Sequence, residues 1–95
     1  MTFSLLGRCP ETGALGIAVS SSSPAVAARC AHVRAGAGAA ASQNVTDPRL
    51  GPRLLEQMAG GLAAPDAVEL VARQAPQRDY RQLAAVDIAG QTRAF

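Results

Sequence analysis

Four consecutive hydroxyls, Ser20-Ser21-Ser22-Ser23, close the apolar run Gly13-Ala14-Leu15-Gly16-Ile17-Ala18-Val19, and Pro24 follows them directly. A hydroxyl both donates and accepts hydrogen bonds, so such a cluster at a strand end is suited to holding a substrate or a developing oxyanion. A second polar pair, Gln43-Asn44, ends the small-residue run Ala35-Gly36-Ala37-Gly38-Ala39-Ala40-Ala41-Ser42 and offers two amides for the same task. Arg29 and Arg34 fall between the two clusters, and a guanidinium fork can clamp a carboxylate through two N–H groups. Each of these residues also has a plain structural use. Ser23 is placed to cap a helix with Pro24 at its first position, Gln43, Asn44 and Asp47 suit capping, and surface arginines are ordinarily solvated.

Other reactive side chains are less suggestive. Cys9, Cys30 and His32 lack the spacing of a metal site, so the cysteines are expected to act as small hydrophobes and no metal or cofactor is expected. His32 has no evident acid partner for a triad. Gly36 and Gly38 begin a GxGxxG pattern, but Ala41 holds the third position and no βαβ unit follows, which argues against a dinucleotide site.

The elements that must position these groups follow from periodicity and turn residues. Residues 2–8 predict a strand, 9–13 a turn bracketed by Pro10 and Gly13, and 14–21 the returning strand of a hairpin. Because side chains alternate along a strand, Leu15, Ile17 and Val19 are expected to face a core while Gly16, Ala18 and Ser20 line the other side. Residues 24–33 are open to either a helical turn or a loop, and 35–42 predict a strand so lacking in bulk that a neighbouring layer can approach its backbone. Residues 43–47 predict a loop. Helices are expected over 52–59, with Leu54, Leu55 and Met58 on one face, and over 65–74, with Val68, Val71 and Ala75 in a stripe. Residues 80–88 and 91–95 predict a last hairpin about Ala89-Gly90, with the two helices covering one face of the sheet.

Composition bounds the rest. The chain has 95 residues, is 48% hydrophobic, and draws much of that from alanine, its aromatic residues being Phe3, Tyr80 and Phe95. Small side chains bury little apolar area, so these residues are expected to form a single partial domain, 1–95, that gains stability from further chain or a partner. The basic residues are all arginine, the net charge is +2, and they form no block, which excludes a nucleic-acid stripe. No run reaches the ~18 apolar residues of a membrane span, and no basic segment leads an apolar stretch, so neither membrane nor secretory signal is expected and the location is read as cytoplasmic.

Met1-Thr2-Phe3-Ser4, the turn Pro10-Glu11-Thr12-Gly13 with Leu15-Gly16-Ile17-Ala18-Val19-Ser20, and Arg34-Ala35-Gly36-Ala37-Gly38-Ala39 followed by Gln43 together resemble a prokaryotic family of unknown function, DUF1028. Gly51-Pro52-Arg53 and Tyr80-Arg81-Gln82-Leu83 continue the likeness. That family is assigned to the N-terminal-nucleophile (Ntn) hydrolase superfamily, and its members look about twice this length. The resemblance therefore implies an α+β fold, a four-layer αββα sandwich of Ntn-hydrolase type, of which this chain supplies strands and one helix pair.

In that superfamily a first-residue Thr, Ser or Cys attacks an amide carbonyl with its own α-amine as base. Thr2 matches by position, once Met1 is removed. The other nucleophile the resemblance allows is the residue after Phe95, exposed by self-cleavage at Phe95, which would make this chain the partner of a C-terminal remainder of the same precursor. Ser20, Ser21, Ser22, Gln43, Asn44, Arg29 and Arg34 are the candidate substrate- or oxyanion-binding residues. The resulting expectation is a cofactor-free amidohydrolase acting on a small amide, cyclic amide or peptide-like bond, assembled as a homo-oligomer of the paired unit. The alternative is a non-catalytic member that binds a small molecule or protein in the same cleft.

Overall fold

The chain opens as a hairpin because its polar and apolar residues alternate on either side of a turn that supplies both glycine and proline. In a computed structural model, which describes residues 1–44 and 47–95, strand β1 (Thr2–Arg8) pairs antiparallel with β2 (Leu15–Ser21), from Thr2↔Ser21 to Arg8↔Leu15. The turn is closed by Cys9 N donating to Ala14 O and Gly13 N donating to Cys9 O, both 2.8 Å. Leu15, Ile17 and Val19 are half-buried and Gly16, Ala18 and Ser20 exposed, as the alternation predicts.

A short helix α1 (Ala27–Cys30) leads into β3 (Ala31–Arg34), followed by β4 (Gly38–Asn44), helices α2 (Leu50–Ala59) and α3 (Ala64–Gln74), a 3₁₀ turn (Arg78–Tyr80), β5 (Arg81–Asp87) and β6 (Thr92–Ala94). The last four strands form one antiparallel sheet in the order β3-β4-β5-β6. The protein is thus a mixed α+β domain with antiparallel sheets.

Register decides which face each residue serves. Ala40, Leu83 and Ala85 point to the helices and join Leu50, Leu54, Leu55 and Met58 of α2 and Ala64, Ala67, Val68, Val71 and Ala72 of α3 in the core. Burial of each larger aliphatic chain there contributes about 1.5–3 kcal/mol. The alternate residues Ala41, Gln43, Gln82, Ala84 and Ala94 face the hairpin, since Ala41 pairs with Ala84, Gln43 with Gln82, and Ala84 with Ala94. Helices, four-stranded sheet and hairpin therefore make three layers. The outer hairpin face is left bare, with Phe3 65% and Leu5 73% exposed.

Close approach explains two glycines. A Cβ on Gly38 would meet the Val86 carbonyl oxygen, and one on Gly51 would overlap the His32 ring, which lets α2 lie against β3. Asp87, 5% exposed, ties the far end of β5 to α3 by accepting from Ala64 N at 2.8 Å, Ala89 N at 3.0 Å and Gln91 N at 2.9 Å.

Some expectations need correction. Ser23 caps no helix: α1 begins only at Ala27, preceded by Val26, and the Ser23 N–H turns back to Ser21 Oγ at 3.1 Å. Residues 24–33 yield both a helical turn, which ends at the buried Cys30, and the start of a strand at Ala31. Gln43 and Asn44 prolong β4 rather than entering a loop, drawn into register by Gln82 and Arg81. Helix α2 starts at Leu50, ahead of Pro52, which is tolerated in a first turn where its missing N–H has no intrahelical partner. Val45 and Thr46 of the expected loop lie outside the described residues. Among the described residues, no helix is long and apolar enough to cross a membrane.

Candidate functional site

The first rung of the hairpin sets Thr2 against Ser21 on the face turned toward the larger sheet. Their hydroxyls are hydrogen-bonded at 2.8 Å. Ser21 Oγ also accepts the Ser23 N–H, so one of its lone pairs is fixed and its remaining capacity is directed at Thr2. From β4, Gln43 Nε2 donates to the Thr2 carbonyl at 3.4 Å and to Gln82 Oε1 at 3.3 Å, binding the hairpin to the sheet. The Met1 ammonium donates to Ser22 Oγ at 3.5 Å, and Met1 itself is 88% exposed.

Of these residues Met1, Thr2, Ser23 and Gln82, together with Asn44, line a cavity of about 420 Å³. Asn44 reaches it from the last position of β4 with φ +75°, a left-handed conformation that asparagine tolerates better than most residues. Gln82 also borders a neighbouring cleft of about 310 Å³ between the hairpin and the sheet, bounded by Ser4, Gln43, Leu83 and Phe95 among others. A hydroxyl beside amide and hydroxyl donors is an arrangement suited to acyl transfer, provided a base takes the hydroxyl proton.

The other expected residues are dispersed. Ser20 faces away, opposite Phe3 on the outer hairpin surface. Arg29 is exposed and donates to Pro24 O at 3.0 Å. Arg34 pairs with Gly38, at the end of β4 opposite Asn44 and roughly 20 Å away at about 3.3 Å per residue. Phe95 is held to β5, its N donating to Leu83 O at 2.7 Å and its O accepting from Leu83 N at 3.1 Å, with the Arg78 guanidinium 5.2 Å from its ring centre. That pairing sets Phe95 on the wall of the second cleft, beside Gln82.

Two neighbours of the site escaped the sequence reading. Gln82 becomes significant only through its pairing with Gln43, a register that no local pattern encodes. Arg81 pairs with Asn44 and is the arginine nearest this end of the sheet, its Nε donating to Pro76 O at 3.2 Å. Asp47, 7% exposed, follows β4 and receives Arg49 through Nε at 2.9 Å and Nη2 at 2.7 Å, and through the Arg49 backbone N–H at 3.0 Å. The Arg49 side-chain bonds, with smaller help from its backbone N–H and from the Arg81 charge, hold the Asp47 carboxyl at a pKa of about 2.

A family model described as "Family of unknown function (DUF1028)" matches residues 2–95. The crystal structure of protein SPO2555 from Silicibacter pomeroyi, which carries the same family model, is similar to this chain with a TM-score of 0.95 and 39% identity, over 99% of this chain and 44% of that one. The chain thus spans less than half the length of that relative. No curated protein matches it.

Proposed function

The chain belongs to the DUF1028 family, and from that premise we propose that it carries the nucleophilic end of an Ntn-type amidohydrolase, with Thr2 as nucleophile. The observation that carries the reading is the 2.8 Å bond between Thr2 Oγ1 and Ser21 Oγ at the edge of a cavity lined with hydroxyl and amide groups. Once Met1 is removed, the freed Thr2 α-amine takes the hydroxyl proton as Oγ1 attacks the amide carbon. The C–N bond then breaks, the proton passes to the leaving nitrogen, and water hydrolyses the resulting ester to release the acid and restore Thr2. Ser21 positions the Thr2 hydroxyl. Asn44, Gln82 and the Ser23 hydroxyl are the groups lining the cavity that would steady the oxyanion. No cofactor enters this sequence of steps, and the reading places the protein in the cytoplasm.

The bare outer hairpin face supports a four-layer αββα sandwich completed by a C-terminal remainder, since apolar side chains as large as Phe3 and Leu5 gain by being covered. In that setting the assembled unit forms a homo-oligomer, and self-cleavage after Phe95 is the competing source of the nucleophile. The alternative, and second reading, is a non-catalytic member of the same fold that binds a small molecule or protein in this cleft.

The test is hydrolysis of a panel of small linear and cyclic amides by the product of the full-length gene and by its Thr2→Ala and Thr2→Ser variants. Turnover that Thr2→Ala abolishes and Thr2→Ser retains in part is the expected result. Turnover unaffected by Thr2→Ala would move the nucleophile elsewhere, and binding without turnover in any variant would favour the second reading.

A further inference from the structure

We propose that the cleft between β1 and the β5–β6 edge is the specificity subsite of this centre, and that it takes an uncharged cyclic amide with a free N–H. The hydrolytic fate of that ligand rests on the function proposed above; its binding does not. The cleft, about 310 Å³, falls at the lower end of the range for small-molecule sites, about 300–1,000 Å³. Ala41, Ala84, Ala94 and Phe95 give it apolar walls, while Ser4, Gln43 and Gln82 supply the polar groups. Among the described residues no ionisable side chain lines it, so a charged ligand would lose its hydration with no compensating partner.

Gln43 selects the ligand's polar edge. Its Nε2 is engaged by the Thr2 carbonyl and by Gln82 Oε1, whereas its Oε1 is buried without any donor. A buried carbonyl left unpaired is costly; this oxygen has no accessible surface, so a ligand N–H relieves that cost by drawing the Gln43 side chain round toward the cleft. Gln82 borders both this cleft and the Thr2 cavity, so a molecule in the first reaches toward the second. In a lactam the cis amide presents N–H and C=O on one edge, so its N–H would donate to Gln43 Oε1 while its carbonyl is directed to Thr2. The small side chains at 41, 84 and 94 leave room for the ring.

The test is NMR titration of the full-length gene product, and of its Thr2→Ala variant, with δ-valerolactam and with N-methyl-δ-valerolactam. The side-chain amide signals of Gln43 and Gln82 are expected to shift saturably with the lactam in both proteins. The N-methyl compound is expected to bind at least tenfold more weakly, because it has no proton for Gln43. Ala94→Leu, which fills the cleft from the sheet edge, is expected to abolish the shifts, and Ala18→Leu on the outer hairpin face to leave them intact. Equal binding of both compounds, binding unchanged in Ala94→Leu, or no saturable shift would overturn the subsite. Loss of hydrolysis with retained lactam binding in Thr2→Ala would leave the subsite standing, and an absence of hydrolysis in the unsubstituted protein with binding retained would fell the enzymatic reading alone.

Discussion

Thr2 Oγ1 lies 2.8 Å from Ser21 Oγ across the first rung of the β1–β2 hairpin, on the face that meets Gln43 of the neighbouring sheet. The relationship follows from antiparallel register: with Arg8 opposite Leu15, the ends of the two strands are obliged to meet at Thr2 and Ser21. Because the Ser23 N–H already occupies one acceptor site on Ser21, the serine hydroxyl is oriented before any substrate arrives. Ser21→Ala removes that orienting bond without touching the nucleophile. In the enzymatic reading, kcat falls about fivefold while KM changes little, the loss expected of one hydrogen bond worth about 1 kcal/mol. A steady-state comparison with the unsubstituted protein checks it, and an unchanged kcat would remove Ser21 from the site.

Asp87 is the polar fastening of the fold. Its carboxylate accepts three backbone N–H groups, from Ala64, Ala89 and Gln91, in a setting 5% exposed. Asp87→Ala leaves these donors without their acceptor; stranding the buried Ala64 N–H costs about 1–3 kcal/mol, while the Ala89 and Gln91 N–H groups are open to water. Urea unfolding is expected to show a lowered midpoint with a similar slope. A midpoint shift equivalent to less than about 0.5 kcal/mol would contradict this account.

Asp47 gives the protein an acid limit. Its pKa of about 2 lies below the ordinary 3.8, chiefly through the Arg49 side-chain bonds, so the folded state holds fewer protons than the unfolded one in that range. The associated stability is full above pH 4 and is lost as pH falls through about 2. Asp47→Asn is expected to cost about 1 kcal/mol near neutrality through the lost charge-assisted bonds to a largely exposed arginine, and nothing further at pH 2. Thermal melts of the two proteins across this window should converge at the acid end; curves that stay parallel down to pH 2 would contradict the assignment.

The two cysteines should differ sharply in reactivity. The Cys9 thiol, in the hairpin turn, is pulled below its ordinary pKa first by the Thr12 side-chain hydrogen bond and then by the Thr12 and Glu11 backbone. Cys30 is 1% exposed beneath the sheet. Iodoacetamide at neutral pH is expected to modify Cys9 at least about tenfold faster than Cys30, and Thr12→Val to slow the reaction at Cys9. Peptide mapping by mass spectrometry measures both; equal rates in the folded protein would refute the prediction.

The hairpins, the two longer helices and the strand without bulk were legible because alternation, proline and glycine act locally. Thr2–Arg8 was read to its ends, and both longer helices end where the sequence places their stops, at Ala59 and Gln74. What escaped was set by pairing over distance. The strand Ala31–Arg34 has no pattern of its own and forms because Ala39, Ala40 and Ala41 offer it an edge. Ser23 has the composition of a cap, but its N–H is captured by Ser21 two residues earlier. At the site, the serines could be singled out by type and position, and Thr2 only through the family resemblance. The separation of Ser20 from Ser21 onto opposite faces, the remoteness of Arg34 and the presence of Gln82 depend on register, which becomes readable only when the strands are placed side by side.

If Thr2 is the nucleophile, its hydroxyl is activated by its own freed amine. Intact-mass analysis with N-terminal sequencing of the full-length gene product, before and after incubation with a β-lactone acylating probe, tests it most directly. A chain beginning at Thr2, free of Met1, that gains one acyl group on the Thr2 side chain and none in the Thr2→Ala variant is the expected result. A chain that keeps Met1 and takes up no acyl group, or one acylated instead on a residue exposed by cleavage after Phe95, would contradict it.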